Sequence, residues 1–262
     1  MTEHKLRLSP SSFRERFLHR EAVLGTFIKT PTSHAIEILG DVGLDFVVID
    51  AEHAPFGKQA IDVAMLAAKA AGIAAIVRVE GPAPEAILSA LDCGATGVLV
   101  PHVSSAAKAE AVASACRYRG GRRGFSNSPR AGGYGRLGVW EHVEAADAQT
   151  TVIAMIEDPE ALETLDAIMA VEGLDGVFIG RGDLTVALGA KGPESEEVKS
   201  ATLRIAAAAK AAGKAVCAMT PGGADARWLK QQGVTAFIVS SDQGLMRQAA
   251  LRTLAEFQEF SR

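Results

Sequence analysis

Eight short apolar runs punctuate the chain: 24–28 (LGTFI), 46–50 (FVVID), 74–79 (AAIVRV), 97–101 (GVLVP), 151–156 (TVIAMI), 176–180 (GVFIG), 215–219 (AVCAM) and 236–241 (AFIVSS). Each is nearly continuous in its hydrophobicity, the pattern of strands covered on both faces in a parallel sheet. Between them, apolar positions recur at helical spacing over 58–72, 83–94, 105–116, 159–171 and 195–213. Gly72, Gly94, Gly213 and Gly233 stand where a helix should end and a strand begin, positions suited to a left-handed helix C-cap. Eight such units with short joints predict an α/β fold closed as a (β/α)8 TIM barrel, with an open doubly wound sheet as the lesser alternative.

The 262 residues match one such barrel, so a single domain over 1–262 is expected, with a short N-terminal helical extension. A net charge of −4, and no basic run interleaved with aromatics, give no footprint for nucleic acid. The one basic cluster, Arg117 to Arg123, reads as an exposed loop or subunit contact before it reads as a substrate attractor. Cys93, Cys116 and Cys217 have neither disulfide nor zinc spacing, which fits a reducing cytoplasm. The charged N-terminus lacks an apolar leader, and no uninterrupted apolar stretch approaches the ~18 residues of a membrane span.

Residues 117–138 (RYRGGRRGFSNSPRAGGYGRLG) break the rhythm. Loops of this length in compact domains are commonly functional, and its place after the fourth strand predicts that it covers the C-terminal mouth of the barrel, where such folds build their sites.

Polar residues just past the strand ends form a short, coherent set: Asp50, Glu52 and His53; Arg78; Pro101 and His102; Glu157 and Asp158; Arg181 and Asp183. Asp158, followed by Pro159, reads as a helix cap. Glu157 ends an apolar strand and needs a partner. Either Arg78 or a cation shared with Asp183 would serve, and two carboxylates with room for water favour a hard divalent ion. The GRGD turn 180–183 offers N–H groups to a substrate carboxylate. His53 lies in an acid-rich loop and reads as functional; His102 either lines the site or caps the helix starting near Ser104. His4, His19, His34 and His142 read as surface or packing residues. No lysine, Lys191 included, is identified at a strand end facing the site, which disfavours imine chemistry.

Five segments carry a family resemblance: FVVIDAEHAPF 46–56, VRV 77–79, LDCGATGVLVPHV 91–103, MIEDPEAL 155–162 and GLDGVFIGRGDLTVALG 173–189. In this order the chain resembles the HpcH/HpaI aldolases, the class II pyruvate aldolases, over roughly residues 20–260. The resemblance implies a divalent metal (Mg2+, Mn2+ or Co2+) on Glu157 and Asp183, a catalytic His53, and Arg78 facing the substrate keto oxygen. It puts Asp92 beside His53 and Asp50 in the proton-handling network; Gly182 and Asp183 of the GRGD turn are expected toward the substrate, and Arg181, where that turn departs from the family version, toward a substrate or a neighbouring subunit. The implied reaction is reversible aldol addition of pyruvate or hydroxypyruvate to an aldehyde through an enolate, and the implied assembly is a homohexamer. Segment 244–260 either crosses a subunit boundary or closes its own barrel. Pocket walls are expected from loop 117–138, Met219 and Thr220.

Two departures stand out. Met155 replaces a glutamine common in relatives, and GRGD replaces a GPxDLS turn. Decarboxylation of an oxaloacetate-type acid and CoA-ester cleavage are neighbouring chemistries on the same scaffold. A catalytically silent barrel is the alternative from a different class, opposed by retention of His53, Arg78, Glu157 and Asp183.

Overall fold

Eight parallel strands hydrogen-bond in sequence order and close on themselves in a computed structural model that describes residues 12–260. They are β1 (Val23–Ile28), β2 (Phe46–Asp50), β3 (Ala74–Arg78), β4 (Gly97–Val100), β5 (Thr151–Ile156), β6 (Gly176–Ile179), β7 (Ala215–Thr220) and β8 (Ala236–Ser241). Closure comes from β1 against β8, with Val23 beside Ala236. The helices are α1 (Phe13–Leu18), α2 (Ser33–Asp41), α3 (Lys58–Ala71), α4 (Pro84–Asp92), α5 (Ala106–Cys116), α6 (Val139–Gln149), α7 (Leu165–Met169), α8 (Arg181–Ala187), α9 (Glu196–Ala211), α10 (Gly223–Gln231) and α11 (Asp242–Glu256). The expected single-domain (β/α)8 barrel is therefore observed. Of the expected N-terminal extension, α1 lies within the described residues and residues 1–11 lie outside them.

All four glycines expected at helix ends have positive φ, from 65° at Gly72 to 100° at Gly233. The helix expected over 159–171 is broken instead. A 3-10 turn covers Pro159–Glu163, and α7 starts only after Thr164.

Side chains along a strand alternate between barrel interior and helix layer, and the two apolar clusters divide that way. Val48, Ile76, Leu99, Ile153, Phe178 and Ile238 fill the interior, while Val47, Ile49, Val77, Val98, Val152 and Val177 face the helices. Near the N-terminal mouth, small residues (Ala74, Ala215, Ala236) leave room for Phe46 and for Phe13 and Phe17 of α1. Phe13 stacks on Phe17 with ring centroids 5.8 Å apart and tilts against Phe46 at 5.2 Å, stopping that end of the barrel. Gly25 lies against this plug: a Cβ there would come within 2.7 Å of the Phe46 ring.

Loop 117–138 does not cover the C-terminal mouth. Helix α5 first carries the chain to the opposite end. There Arg117 donates to the carbonyl of Thr150 (2.8 Å) and to Asp175 (3.2 Å), the residues just before β5 and β6. Arg123 then reaches Asp92 (3.5 Å) and Arg130 reaches Asp62 (2.8 Å), fastening the segment to α4 and α3. The basic cluster is thus consumed largely by internal ion pairs, including Arg119 with Glu144. Helix α11 places no buried residue against its own barrel and exposes Met246, Leu251 and Leu254. Among the described residues no helix is long and apolar enough to cross a membrane, and all three cysteines are free and buried.

Candidate active site

The inward parity of each strand continues past its end and decides what faces the C-terminal mouth. On β1 the series Val23, Gly25, Phe27 leads to Lys29; on β2, Phe46 and Val48 lead to Asp50 and Glu52; on β3, Ala74 and Ile76 lead to Arg78; on β5, Ile153 and Met155 lead to Glu157. An apolar floor therefore gives way to a ring of charge within one residue step.

Asp50 is fully buried and is the most heavily bonded group of the ring. Its Oδ1 accepts from Arg78 Nε (2.9 Å) and the His53 backbone N–H (3.1 Å), and its Oδ2 from an Arg78 terminal nitrogen (2.7 Å). Lys29 Nζ lies 2.9 Å from the same Oδ2. Burial alone would raise this carboxyl; the Arg78 hydrogen bonds and charge, with help from His53 and Lys29, instead hold it down at about 2. It stays ionised and positions its neighbours, Arg78, Lys29 and the His53 backbone. Arg78 also stacks over Phe27, 4.8 Å from the ring centre. Its remaining nitrogen, Nη1, lies 3.2 Å from Glu52 Oε2 without hydrogen-bond geometry, and that buried oxygen has no hydrogen-bond partner.

Across the mouth, Glu157 is 2% exposed and accepts the His102 backbone N–H at 2.9 Å. Desolvation pushes its carboxyl up to about 7; the His102 N–H opposes the shift and the charge of Asp183 adds to it. Arg78, spent on Asp50, is not its partner. His102 holds a left-handed backbone, φ 56°, costing about 1–3 kcal/mol for a residue with a side chain. That turn aims the N–H at Glu157 and sets Nδ1 3.0 Å from Asp158 Oδ1. The Asp158 contact raises the imidazole pKa against the effect of burial. Asp158 does occupy the expected N-cap position, yet its side chain makes no capping bond and serves His102 instead.

Glu157 and Asp183 form a donor set of two carboxylates. Among the described residues no three His, Cys, Asp or Glu groups converge into a closed metal cage. An open pair in which one member is driven toward neutrality by burial and a like charge fits a hard divalent ion that keeps positions for water or substrate oxygens.

A family model described as HpcH/HpaI aldolase/citrate lyase matches residues 24–249. The chain belongs to that family. It is 33% identical to a 5-keto-4-deoxy-D-glucarate aldolase of Escherichia coli, over 95% of this chain and 98% of that protein. With a hydroxypyruvate/pyruvate aldolase of Roseobacter denitrificans it shares 37% identity over 78% of this chain and 81% of that one. A solved HpcH/HpaI aldolase/citrate lyase family protein from Burkholderia cenocepacia has a TM-score of 0.90 at 28% identity, covering 95% of this chain and 99% of that chain.

Of the residues expected from the HpcH/HpaI resemblance, Asp50, His53, Arg78, Glu157 and Asp183 gather at one mouth. His53 is exposed, its Nε2 3.8 Å from Glu52 Oε2. Gly182 and Asp183 are exposed on the first turn of α8. Two residues are not brought into the group. Asp92 ends α4, a helix that runs away from the C-terminal mouth, and pairs with Arg123. Arg181 is buried, its guanidinium given to Asp225 (2.8 and 2.9 Å), Glu194 (2.9 Å) and the Pro193 carbonyl, so it is not free for substrate. Met155, in the glutamine position, packs in the barrel interior below Glu157. Met219 is exposed at the end of β7, whereas Thr220 is buried and bonds locally to Gly222.

Sequence reasoning missed Lys29; it named Glu52 at a strand end without giving it a role, and left His102 between lining the site and capping a helix. Strand parity alone marks Lys29 and Glu52, two residues beyond Phe27 and Asp50.

Proposed function

We propose that this chain is a divalent-metal-dependent aldolase that adds pyruvate or hydroxypyruvate reversibly to an aldehyde through an enolate. Family membership makes it a carbon–carbon lyase, and relatives named for 5-keto-4-deoxy-D-glucarate and hydroxypyruvate/pyruvate support the 2-oxo-acid class. The observation that carries the reading is the buried Glu157 beside Asp183, at the same mouth as an arginine whose Nη1 is not taken up by Asp50 and meets only Glu52, at 3.2 Å. Glu157 and Asp183 would hold Mg2+, Mn2+ or Co2+, which when bound supplies Lewis-acid polarisation of the keto group.

The remaining work falls to side chains. With Nε and one terminal nitrogen fixed on Asp50, Arg78 presents Nη1 to an oxygen that gains negative charge as C3 loses its proton. His53, tethered through its backbone to Asp50, moves that proton and later the aldehyde hydroxyl proton. Asp92, at the far end of α4 and paired with Arg123, would meet a His53 only if another copy of the chain presented one to it. A homo-oligomer, a hexamer by family resemblance, accords with the apolar residues that α11 exposes. We take residues 1–262 to act as one domain and the protein to be cytoplasmic, in keeping with its three free cysteines.

The test is deuterium exchange at C3 of pyruvate and hydroxypyruvate, followed by proton NMR with Mg2+ or Mn2+, with EDTA, and with Glu157→Ala. Exchange that needs both metal and Glu157 is expected. Absence of exchange in folded, metal-loaded protein would overturn the reading in favour of oxaloacetate-type decarboxylation or CoA-ester cleavage.

A further inference from the structure

We infer that Arg181 is a positioning residue: it holds the first turn of α8 so that Asp183 stays in register with Glu157. The inference rests on the metal reading above.

Helix α8 has only seven residues, too short to be stable on its own, since isolated helices below ~12–15 residues are marginal. Its first turn must be held from outside: Leu184 is buried in the core, and two further contacts fix where the turn begins. On the inner side Gly180 lies against Glu157 so closely that a Cβ would come within 2.5 Å of the Glu157 Cβ and 2.9 Å of Oε2. On the outer side the next residue, Arg181, turns away from the mouth. One terminal nitrogen grips both oxygens of Asp225, in the first turn of α10, and the other grips Glu194, ahead of α9. The guanidinium carbon stands 5.7 Å from the centre of the Trp228 ring.

The chain is thus pressed inward at Gly180 and pulled outward at Arg181, and Asp183 follows two residues later on the same turn. Asp183 is itself exposed, so the seating of the turn is what sets its distance to Glu157. The strut needs a fork: one nitrogen serves Asp225 while the other serves Glu194. A lysine ammonium is a single point and cannot span both. Outer partners that fix a ligating residue are typically worth about 10–100-fold in metal affinity.

The experiment measures the Mn2+ dissociation constant of the full chain by EPR of the free ion, with circular dichroism and the thermal midpoint recorded alongside. Arg181→Lys keeps the charge and loses the fork. The double variant Arg181→Met/Asp225→Asn removes both charges, so that no buried carboxylate is stranded if single variants fold poorly. The expected result is folded protein with Mn2+ affinity lowered about 10–100-fold, and with turnover largely recovered at saturating Mn2+. Folded variants that bind Mn2+ as tightly as the parent chain would overturn the role of Arg181 alone. A parent chain whose Mn2+ binding is absent, or indifferent to Glu157→Gln, would overturn the metal reading and this inference together.

Discussion

Arg78 and Asp50 meet in a two-pronged ion pair across adjacent strands, Nε to Oδ1 at 2.9 Å and a terminal nitrogen to Oδ2 at 2.7 Å. The pairing fixes the plane of the guanidinium and leaves one nitrogen over. A lysine at 78 would keep the charge near Asp50 but could not hold the carboxylate and still present a second donor. Arg78→Lys is expected to slow C3 exchange by about 10²–10³, the usual loss for one donor to a developing oxyanion, with the fold retained. Exchange NMR against matched circular dichroism checks it.

Asp50 predicts an acid transition. Its folded pKa of about 2 lies below the ordinary aspartate value of about 3.9, so the anion is the form the fold prefers. Its contribution to stability is complete above about pH 4 and is lost as pH falls toward 2. Asp50→Asn strands Arg78 and should cost on the order of 3–5 kcal/mol at neutral pH, as breaking a buried ion pair does. In urea titrations the gap between the two proteins should close as pH falls toward 2.

The eight strands were legible because strands buried on both faces leave unbroken apolar runs, and the helix ends because Gly72, Gly94, Gly213 and Gly233 take a backbone few other residues adopt. Residues at strand tips, such as Asp50, Arg78 and Glu157, were legible for the same reason: a charge ending an apolar run has to be used. What failed was anything set by direction or by distant partners. Loop 117–138 follows the fourth strand in order, but α5 reverses the chain first and delivers it to the other mouth. Helix α4 in the same way carries Asp92 away from the C-terminal mouth and from His53 of its own chain. Asp158 precedes a proline as capping residues do, yet its side chain is claimed by His102, far away in sequence. Arg181 stands in a motif that suggests substrate, while Asp225 and Glu194 lie on later segments.

Glu157 predicts how metal affinity depends on pH. A carboxyl near 7 is largely protonated in mildly acid solution, and a proton and a cation compete for the same oxygens. Mn2+ affinity should rise as pH is raised through about 7 and level off above it. Calorimetric titrations at a series of pH values read the curve, and a flat profile would remove Glu157 from the metal site.

His102 offers a separate check on the mouth. Its hydrogen bond to Asp158 is the leading reason that its pKa is raised. Asp158→Asn should therefore lower the imidazole pKa, so that His102 loses its proton at a lower pH than in the parent chain. NMR titration of the ring carbons follows this directly, and an unchanged midpoint would mean that Asp158 does not hold the proton in place.

Among the described residues, the plug of Phe13, Phe17 and Phe46, with the filled interior above it, closes the N-terminal end of the barrel and leaves its C-terminal mouth as the way in. A bowl with one opening is loaded and emptied in sequence. Under the proposed function the 2-oxo acid would lie at its floor, between Arg78 and Glu157, with the aldehyde above it. In the cleavage direction of the proposed reaction the aldehyde would then leave before the 2-oxo acid, an order that the closed end of the barrel imposes.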